Sequence, residues 1–330
     1  MTIPAVIAFG DSIVDNGNNN NLTTLVKCNF PPYGTDFIHQ IPTGRFSNGK
    51  TPADLIAEKL GIKELLPAYL DPTLLDNDLP TGVTFASGSS GYDPQTSQIA
   101  SVIPMMQQLE LFKEYLRKIK GLVGEERSSF ILSNSLFLVV AGSDDLANTY
   151  FTFRLREAQY DINSYTDLML QSATDFIKEL YKLGARKIAV FNVPPIGCLP
   201  SQRTLGGGGL LRVCAEPYNQ AALLYNTKLS NMISSIGTRF SLDQKARVVY
   251  IDVYTQLFDI IMNPTKYGLE VVDRGCCGTG TIEMIILCNK YSSTCSNHSS
   301  YLFWDSFHPT EKGYKILVDE LIQTYLPRFF

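Results

Sequence analysis

The chain has 330 residues, of which 45% are hydrophobic and 18% are charged, and its formal net charge at pH 7 is −4. This composition is ordinary for a soluble globular protein with enough chain to bury a large core. The scattered lysines argue against a nucleic-acid-binding surface, which needs a cluster of basic residues. No apolar stretch is long enough to predict a transmembrane segment. Because no change in composition marks a boundary, we expect residues 1–330 to form a single domain. We also expect the protein to be a monomer.

Short apolar runs alternate with helical patterns along the chain. Strands are predicted at residues 5–9, 83–86, 136–141, 187–192 and 247–252. Between them a helix is predicted to begin at Pro52, with Thr51 as its N-cap, and further helices to cover 104–120, 165–183, 215–240 and 310–325. Five buried strands alternating with helices predict an α/β fold, in which helices cover both faces of a five-stranded parallel sheet.

The polar segment 15–50 is rich in Asn, Pro and Gly and is predicted to be a loop. A structureless stretch of this length in a compact domain is usually functional. We therefore expect it to pack close to the functional site.

The first predicted strand ends in Gly10-Asp11-Ser12. Gly10 permits a sharp turn, which would place Ser12 at the carboxyl end of the strand, where open α/β sheets bind their ligands. A serine hydroxyl needs a base to become nucleophilic at neutral pH. Among the three histidines, His308 has the best context, because Asp305 lies three residues earlier and can bond the other ring nitrogen. The pattern predicts an acyl-transfer triad of Ser12, His308 and Asp305.

The other two histidines have a simpler interpretation. His39 is expected to be a loop residue, and His298 a surface residue with no predictable partner. Because the chain lacks carboxylates at metal-ligand spacing, we expect neither a metal ion nor another cofactor.

Small residues after two of the predicted strands are candidates for an oxyanion hole. Residues 87–89 follow the second predicted strand and residues 142–144 follow the third. A glycine at such a turn lets a backbone N–H approach the substrate closely. The pattern is equally consistent with glycines that only form tight turns.

Four short blocks together resemble, in order, the four motifs of the GDSL-type (SGNH) hydrolases, and the resemblance covers essentially the whole chain. The blocks are Phe9-Gly10-Asp11-Ser12, Ala86-Ser87-Gly88, Gly142-Ser143-Asp144-Asp145 and Asp305-Ser306-Phe307-His308. The chain is most similar to the plant GDSL esterase/lipases, and among them to the extracellular lipases of the pollen coat. Further segments similar to that group are Asp15-Asn16-Gly17-Asn18-Asn19, Pro32-Tyr33-Gly34, Gly44-Arg45-Phe46-Ser47-Asn48-Gly49 and Cys276-Cys277-Gly278.

The resemblance implies a three-layer α/β/α sandwich and assigns roles at the predicted site. Ser12 would be the nucleophile and would also donate its own N–H to the oxyanion. Gly88 would supply a second N–H, His308 would be the base, and Asp305 would orient His308.

The chain departs from the family at Asp144, where the family has an asparagine whose amide donates to the oxyanion. An ionised carboxylate has no proton to donate and would repel the oxyanion. Three alternatives are open. Asp144 is protonated in a desolvated site, or it turns away and leaves two backbone donors. Alternatively the site is catalytically weak and the protein mainly binds a lipid or glycan.

Other features of the sequence indicate secretion. Asn21 and Asn297 begin N-glycosylation sequons, and seven cysteines is a high count. In an oxidising compartment such cysteines form disulfides. The first apolar run is better interpreted as a core strand than as a leader peptide. Together with the sequons and the cysteines, this interpretation leads us to expect a mature secreted glycoprotein. The alternative is a cytosolic protein with buried thiols.

The cysteines allow several disulfide pairings. Cys198 and Cys214 flank a glycine-rich loop and could close it. Two further bridges could form among four cysteines close together in the chain, and Cys28 would stay unpaired or displace one of them. These four are Cys276, Cys277, Cys288 and Cys295.

The sequence therefore predicts a secreted serine esterase or lipase that acts on a carboxylic acyl ester through an acyl-enzyme. One alternative is an acyltransferase that uses the same acyl-enzyme, and the others are a catalytically weak lipid- or glycan-binding protein and a purely structural secreted glycoprotein. Several aromatic residues in or beside the segments expected near the site could line an acyl groove, although a core position is favoured for each. These are Phe30, Tyr33, Phe46, Tyr150 and Phe151.

Overall fold

Four parallel strands form the main sheet of the protein. The computed structural model describes residues 3–239, 243 and 245–330. The strands are β1 (Val6–Gly10), β2 (Leu136–Val140), β3 (Lys187–Phe191) and β4 (Arg247–Ile251), and they lie in the order β1-β2-β3-β4. All three neighbouring pairs are parallel. Their carboxyl ends therefore meet at one edge of the sheet, where Ser12 follows β1.

The fifth strand predicted at residues 83–86 is not part of this sheet as a full strand. The segment runs beside β1, and Thr84 forms only isolated parallel bridges, to Ala8 and to Ala68. The N–H of Ala8 donates to the carbonyl of Val83, and the N–H of Phe85 donates to the carbonyl of Ala8. The carbonyls of Thr84 and Ala86 accept instead from the side-chain amide of Asn18. The five-stranded sheet was therefore only approximately right.

The helices predicted from the sequence are present, and shorter ones accompany them. Thr51 precedes the first helix as predicted, where its backbone N–H donates to Asp54, and Phe240 of the predicted helix 215–240 lies outside the described residues. The α-helices are α1 (Pro52–Lys59), α2 (Pro94–Ala100), α3 (Met105–Val123), α4 (Glu125–Asn134), α5 (Ile162–Lys182), α6 (Pro200–Leu205), α7 (Glu216–Arg239), α8 (Val253–Met262) and α9 (Glu311–Tyr325). A π-helix (Asp145–Thr152) follows β2.

Side chains that alternate along the strands enter two separate cores. Ile7 and Phe9 of β1 belong to the larger core, which α3, α5 and α7 cover. Val6 and Ala8 face the opposite core, which α1 and α9 cover. This alternation is the consequence of strand geometry, and it produces the three-layer α/β/α sandwich that was expected.

A second, two-stranded parallel sheet precedes the last helix and consists of β5 (Val271–Gly275) and β6 (Tyr301–Phe303). The chain passes from β6 directly into residues 305–308. The predicted loop at 15–50 is irregular apart from two short 3-10 helices, Asn18–Asn21 and Ile38–Gln40. Within the described residues, no helix combines the length and apolarity needed to cross a membrane.

Candidate active site

The turn that carries Ser12 is fixed by its backbone. Gly10 has a φ of 138°, and a Cβ there would lie 1.7 Å from the carbonyl oxygen of Val140 on β2, so only glycine fits. The buried side chain of Gln108 on α3 accepts from the Gly10 N–H and donates to the Gly10 carbonyl, both at 2.9 Å. These contacts hold Ser12 at the carboxyl end of β1.

Ser12, His308 and Asp305 form a continuous hydrogen-bonded chain. Nε2 of His308 lies 2.8 Å from Oγ of Ser12, and Nδ1 lies 2.8 Å from Oδ2 of Asp305. Residues 12 and 305 come from opposite ends of the sequence, and the segment after β6 brings them together. The arrangement allows the imidazole to remove the proton of the hydroxyl while the carboxylate orients the ring.

The carboxylate of Asp305 is held by several further donors. Its Oδ1 accepts from the backbone N–H groups of Phe307 (2.8 Å) and His308 (2.7 Å). Its Oδ2 also accepts from the hydroxyl of Tyr33 at 2.7 Å, and that hydroxyl in turn accepts from the N–H of Ile285. Burial next to Asp305 raises the pKa of Tyr33, which keeps it a neutral donor. Tyr33, a candidate groove residue from sequence, therefore lies behind the triad.

Aromatic rings enclose the imidazole of His308. Phe46 lies 5.1 Å from it and Phe307 lies 5.3 Å from it, measured between ring centroids. Both Ser12 and His308 are buried. Water therefore has little access to the hydrogen bond between them.

The predicted oxyanion donor Gly88 is already engaged. Its N–H donates to Oδ2 of Asp15 at 2.8 Å, which leaves it unavailable to an oxyanion in this structure. The next residue, Ser89, lines the pocket around Ser12 and adopts a φ of 66°, an uncommon value for a residue with a side chain. Neither the Ser89 N–H nor the Ser12 N–H donates to another group in the described part of the chain.

The asparagine-rich segment after Ser12 holds the turn that contains Gly88. Asp15 accepts from the N–H groups of Gly17, Asn18 and Gly88. The amide of Asn19 donates to the carbonyl of Gly88 at 3.1 Å. This part of the loop at 15–50 is thus packed at the site, where it supports the backbone.

Asp144 lies in the same pocket as Ser12 and is buried. Its Oδ1 accepts from the side-chain amide of Asn148 at 2.6 Å, whereas its Oδ2 has no partner among the described residues. Burial, and then the neighbouring carboxyl of Asp11, raise the pKa of Asp144 well above its usual range. Burial also raises the pKa of Asp11 to about 7 and that of Asp145 to about 6. The environment therefore favours a neutral carboxyl at Asp144.

The pocket at Ser12 is narrow, with a volume of about 20 Å³, roughly the space of one water molecule. It adjoins a groove of about 830 Å³. Five residues line both, namely Val26, Ser89, Asn148, Met284 and Ile285.

The remaining candidate residues lie away from the triad. His39 is exposed in a loop, as expected, but His298 has a partner that sequence did not predict, since its Nδ1 lies 2.8 Å from Asp36. Asn21 and Asn297 are both exposed. Phe151 stacks on Tyr218 rather than lining the pocket at Ser12.

Six of the seven cysteines are paired in the structure. The pairs are Cys198–Cys214, Cys276–Cys295 and Cys277–Cys288, and Cys28 is free and buried. The last two pairs close the segment that leads to Asp305.

Three supporting residues were not predicted from the sequence in the roles they have here. Gln108 bonds to Gly10, which lies 98 residues earlier in the chain, and Tyr33 bonds to Asp305, which lies 272 residues later. Asn148 lies four residues after Asp144, so its spacing on a helix could have indicated the contact.

Comparison with known proteins agrees with this geometry. The family model described as GDSL-like Lipase/Acylhydrolase matches residues 6–321. The chain is 57% identical over 330 residues to the GDSL esterase/lipase EXL3 of Arabidopsis thaliana, covering 100% of this chain and 89% of that protein. It is 52% identical to the GDSL esterase/lipase At1g20120 of the same plant, covering 100% of this chain and 81% of that protein. The GDSL esterase/lipase At5g42170 is also 52% identical, with 99% of this chain and 87% of that protein covered. The match to the family model and the identity to these relatives show that the chain belongs to the GDSL-like lipase/acylhydrolase family and is a carboxylic ester hydrolase, in agreement with the position of Ser12 beside His308.

Proposed function

We propose that the protein is a secreted serine esterase that cleaves acyl esters through a covalent acyl-enzyme on Ser12. The observation that carries the proposal is the hydrogen-bonded chain from Ser12 through His308 to Asp305, with both ring nitrogens at 2.8 Å from their partners. A neutral imidazole at that distance can act as the general base.

In the first half-reaction, Oγ of Ser12 bonds to the carbonyl carbon while its proton passes to Nε2 of His308. Collapse of the tetrahedral intermediate breaks the bond to the alcohol oxygen, and His308 returns the proton to that oxygen. In the second half-reaction, a water molecule takes the place of the alcohol and releases the carboxylic acid. Asp305 stays ionised throughout and stabilises the imidazolium.

We assign the oxyanion to three donors. Two are the unengaged backbone N–H groups of Ser12 and Ser89, the latter replacing Gly88, whose N–H is bonded to Asp15. The third is the neutral carboxyl of Asp144, which would donate from Oδ2, the oxygen that lacks a partner in the described structure. Preorganised donors of this kind usually contribute the largest single share of catalysis.

Secretion is supported by the three disulfides and by the exposure of Asn21 and Asn297, which we propose as glycosylation sites. We further propose that residues 1–330 act as one catalytic domain, since the triad draws on both ends of the chain. A monomer would suffice for this chemistry, because every proposed group comes from the same chain.

The test is hydrolysis of p-nitrophenyl butyrate together with covalent labelling by a fluorophosphonate. The Ser12→Ala variant should lose both turnover and labelling. A matched control is Ser201→Ala, which removes another buried serine hydroxyl, one that has no partner among the described residues. This control should behave as the unmodified protein does. Turnover that persists in Ser12→Ala would contradict the proposed mechanism.

A further inference from the structure

A further cleft lies beyond the carboxyl ends of β3 and β4. It has a volume of about 280 Å³, close to the lower end of the range that binds small organic ligands, about 300–1,000 Å³. It is lined by Asn192 and Asp252, which directly follow these two strands, and by side chains of α7 and of the first turn of α8. None of the described residues that line it also lines the pocket at Ser12 or the groove beside that pocket. Because neighbouring strands lie about 4.8 Å apart, the cleft lies roughly 10–15 Å from the end of β1, which carries Ser12.

Asn192 fixes one side of this cleft. Its side-chain nitrogen donates to the hydroxyl of Tyr250 at 2.8 Å and to Oδ1 of Asp252 at 2.9 Å. Its side-chain oxygen accepts from the backbone N–H groups of Val253 at 2.8 Å and Tyr254 at 3.1 Å. Asn192 is buried, and these bonds use both donors and both acceptor positions of its amide. It therefore holds Tyr250 and Tyr254 in place and leaves contacts with a ligand to them.

Three polar side chains on the cleft keep hydrogen-bonding capacity for a ligand. The hydroxyl of Tyr250 accepts from Asn192 but donates to no group in the described part of the chain. Burial raises the pKa of Tyr250 to about 12, which keeps the proton on its oxygen. On α7, the side chains of Ser230 and Asn231 form no hydrogen bond with the residues that the structure describes. A hydroxyl and an amide can each both donate to and accept from the hydroxyl groups of a sugar.

Apolar side chains line the same cleft. The ring of Tyr254 is partly exposed and stacks on Phe258, one turn later on α8, with ring centroids 6.1 Å apart and 17° between the ring planes. Leu223 on α7 lines the cleft with 38% of its surface exposed. A sugar ring carries hydroxyl groups on its edge and apolar C–H groups on its faces, so its faces pack on an aromatic or aliphatic side chain. A supported tyrosine ring beside unengaged polar side chains suits such a ligand.

The charges at the cleft favour a neutral ligand. No lysine or arginine is among the described residues that line it, so an anionic ligand would lack a counter-charge. The carboxylate of Asp252 accepts from Asn192 and also from the N–H and the hydroxyl of Thr255, at 3.1 and 2.7 Å. Its oxygens are therefore engaged and do not offer a free site for a cation. A ligand that is rich in hydroxyl groups and carries no charge fits best.

We propose that this cleft is a carbohydrate-binding site that takes a neutral sugar unit, separate from the site of ester cleavage. The inference goes beyond the proposed function, because a sugar bound between α7 and α8 needs neither Ser12 nor His308. The cleft lies on the same edge of the sheet as the triad. It would therefore hold the enzyme on a glycan while Ser12 stays free to react.

The first experiment measures binding to the unmodified protein by isothermal titration and saturation-transfer NMR. The neutral probes are cellopentaose, xylopentaose and mannopentaose together with their monosaccharides, and the charged probe is the pentamer of galacturonic acid. We expect at least one neutral probe to bind with a Kd on the order of 1 mM, and the charged probe to bind at least about fivefold more weakly. Tighter binding of a pentaose than of its monosaccharide would identify a polysaccharide as the source of the sugar unit, and equal binding a free sugar. No binding of any neutral probe at about 10 mM, or tighter binding of the charged probe, would overturn the proposal.

The second experiment assigns this binding to the cleft. Tyr254→Ala removes the aromatic face and Asn231→Ala removes an unengaged amide, so each should weaken binding of the best neutral probe by about three- to tenfold. The matched control is Tyr218→Ala, because Tyr218 on α7 is also partly buried and stacks on an aromatic ring, that of Phe151, but does not line the cleft. The control should bind as the unmodified protein does. Unchanged binding in both cleft variants, or equal weakening in the control, would contradict the assignment.

The esterase assay separates this inference from the proposed mechanism. Tyr254→Ala and Asn231→Ala should hydrolyse p-nitrophenyl butyrate at the unmodified rate, and Ser12→Ala should bind the sugar with the unmodified Kd. A protein that binds a neutral probe but hydrolyses no ester would overturn the proposed function alone. One that hydrolyses esters but binds no neutral probe would overturn this inference alone. If Tyr254→Ala does not fold, Asn231→Ala tests the same assignment, because its side chain is exposed on α7.

Discussion

Replacement of Asp144 by asparagine and by alanine tests whether a neutral carboxyl serves as an oxyanion donor. Asn148 donates to Oδ1 of Asp144 at 2.6 Å, and Oδ2 has no partner in the described structure. In Asp144→Asn the same contact from Asn148 should hold the amide oxygen in the place of Oδ1. The amide nitrogen then takes the place of Oδ2 and carries a permanent donor towards the oxyanion.

The two substitutions should differ strongly in rate. Loss of one oxyanion donor typically costs about a hundredfold to a thousandfold in kcat, which corresponds to about 3–4 kcal/mol of transition-state stabilisation. We therefore expect Asp144→Ala to lose that much at neutral pH. Asp144→Asn should stay within about threefold of the unmodified enzyme, because it keeps a donor at the same position.

The dependence on pH distinguishes a carboxyl donor from an amide donor. His308 must be neutral to act as the base, so activity falls on the acidic side. The raised pKa of Asp144 keeps its proton in place up to higher pH, and activity should fall again where that proton is lost. The profile of kcat/KM for p-nitrophenyl butyrate should then be bell-shaped. In Asp144→Asn the alkaline decrease should disappear and the acidic one remain.

Three results would refute this reasoning. One is an alkaline decrease of the same size and position in Asp144→Asn, which would assign it to another group. The other is an inert unmodified protein together with an active Asp144→Asn, which would mean that Asp144 is ionised and that the natural chain acts mainly by binding. Equal rates for Asp144→Ala and the unmodified protein would show that the side chain donates nothing.

Three further substitutions test the surroundings of the triad. Asp11→Asn removes a neighbouring charge that raises the pKa of Asp144, so the alkaline decrease in activity should move to lower pH. Burial raises the pKa of Asp11 itself to about 7, so ionisation of this carboxyl at higher pH destabilises the native state relative to the unfolded chain. Thermal unfolding should therefore show Asp11→Asn to be more stable than the unmodified protein at about pH 8, and the difference should vanish below about pH 4. Gln108→Leu leaves the N–H of Gly10 buried without a partner, whereas the carbonyl of Gly10 keeps the N–H of Ser87 as a donor. It should lower the free energy of unfolding in urea by about 1–3 kcal/mol and kcat by at least tenfold, and an unchanged kcat would mean that the turn holds Ser12 without this side chain. Tyr33→Phe removes one donor from the carboxylate of the triad and should lower kcat with little change in KM, whereas a change confined to KM would indicate a contact with substrate instead.

The residues of the proposed triad could be identified from sequence because each lies in a short local pattern. Ser12 follows a buried strand after a glycine, and Asp305 stands three residues before His308 within one turn. In both cases the geometry is set by neighbours in the chain. The layers of the fold were predictable for a similar reason, because each strand and helix has its own hydrophobic period.

The support of the site could not be predicted, because it depends on pairs that are far apart in the chain. Gly88 was expected to donate to the oxyanion, but its N–H is bonded to Asp15, which lies 73 residues earlier. The strand expected at 83–86 forms only isolated bridges, and the carbonyls of Thr84 and Ala86 are bonded by Asn18, which lies 66 and 68 residues earlier. Side-chain hydrogen bonds to a distant backbone leave no periodic trace in a sequence.

The groove that adjoins the pocket at Ser12 and the support behind the triad share one short segment of the chain. Ile285 lines the groove and donates its backbone N–H to the hydroxyl of Tyr33 at 2.9 Å. That hydroxyl donates to Asp305, which bonds the ring of His308. The Cys277–Cys288 disulfide closes the loop that contains Ile285. Three successive hydrogen bonds therefore link Ile285, at the wall of the groove, to the ring of His308. A substitution that shifts this segment should therefore lower kcat through the orientation of His308, although Ile285 itself takes no part in the proton transfer.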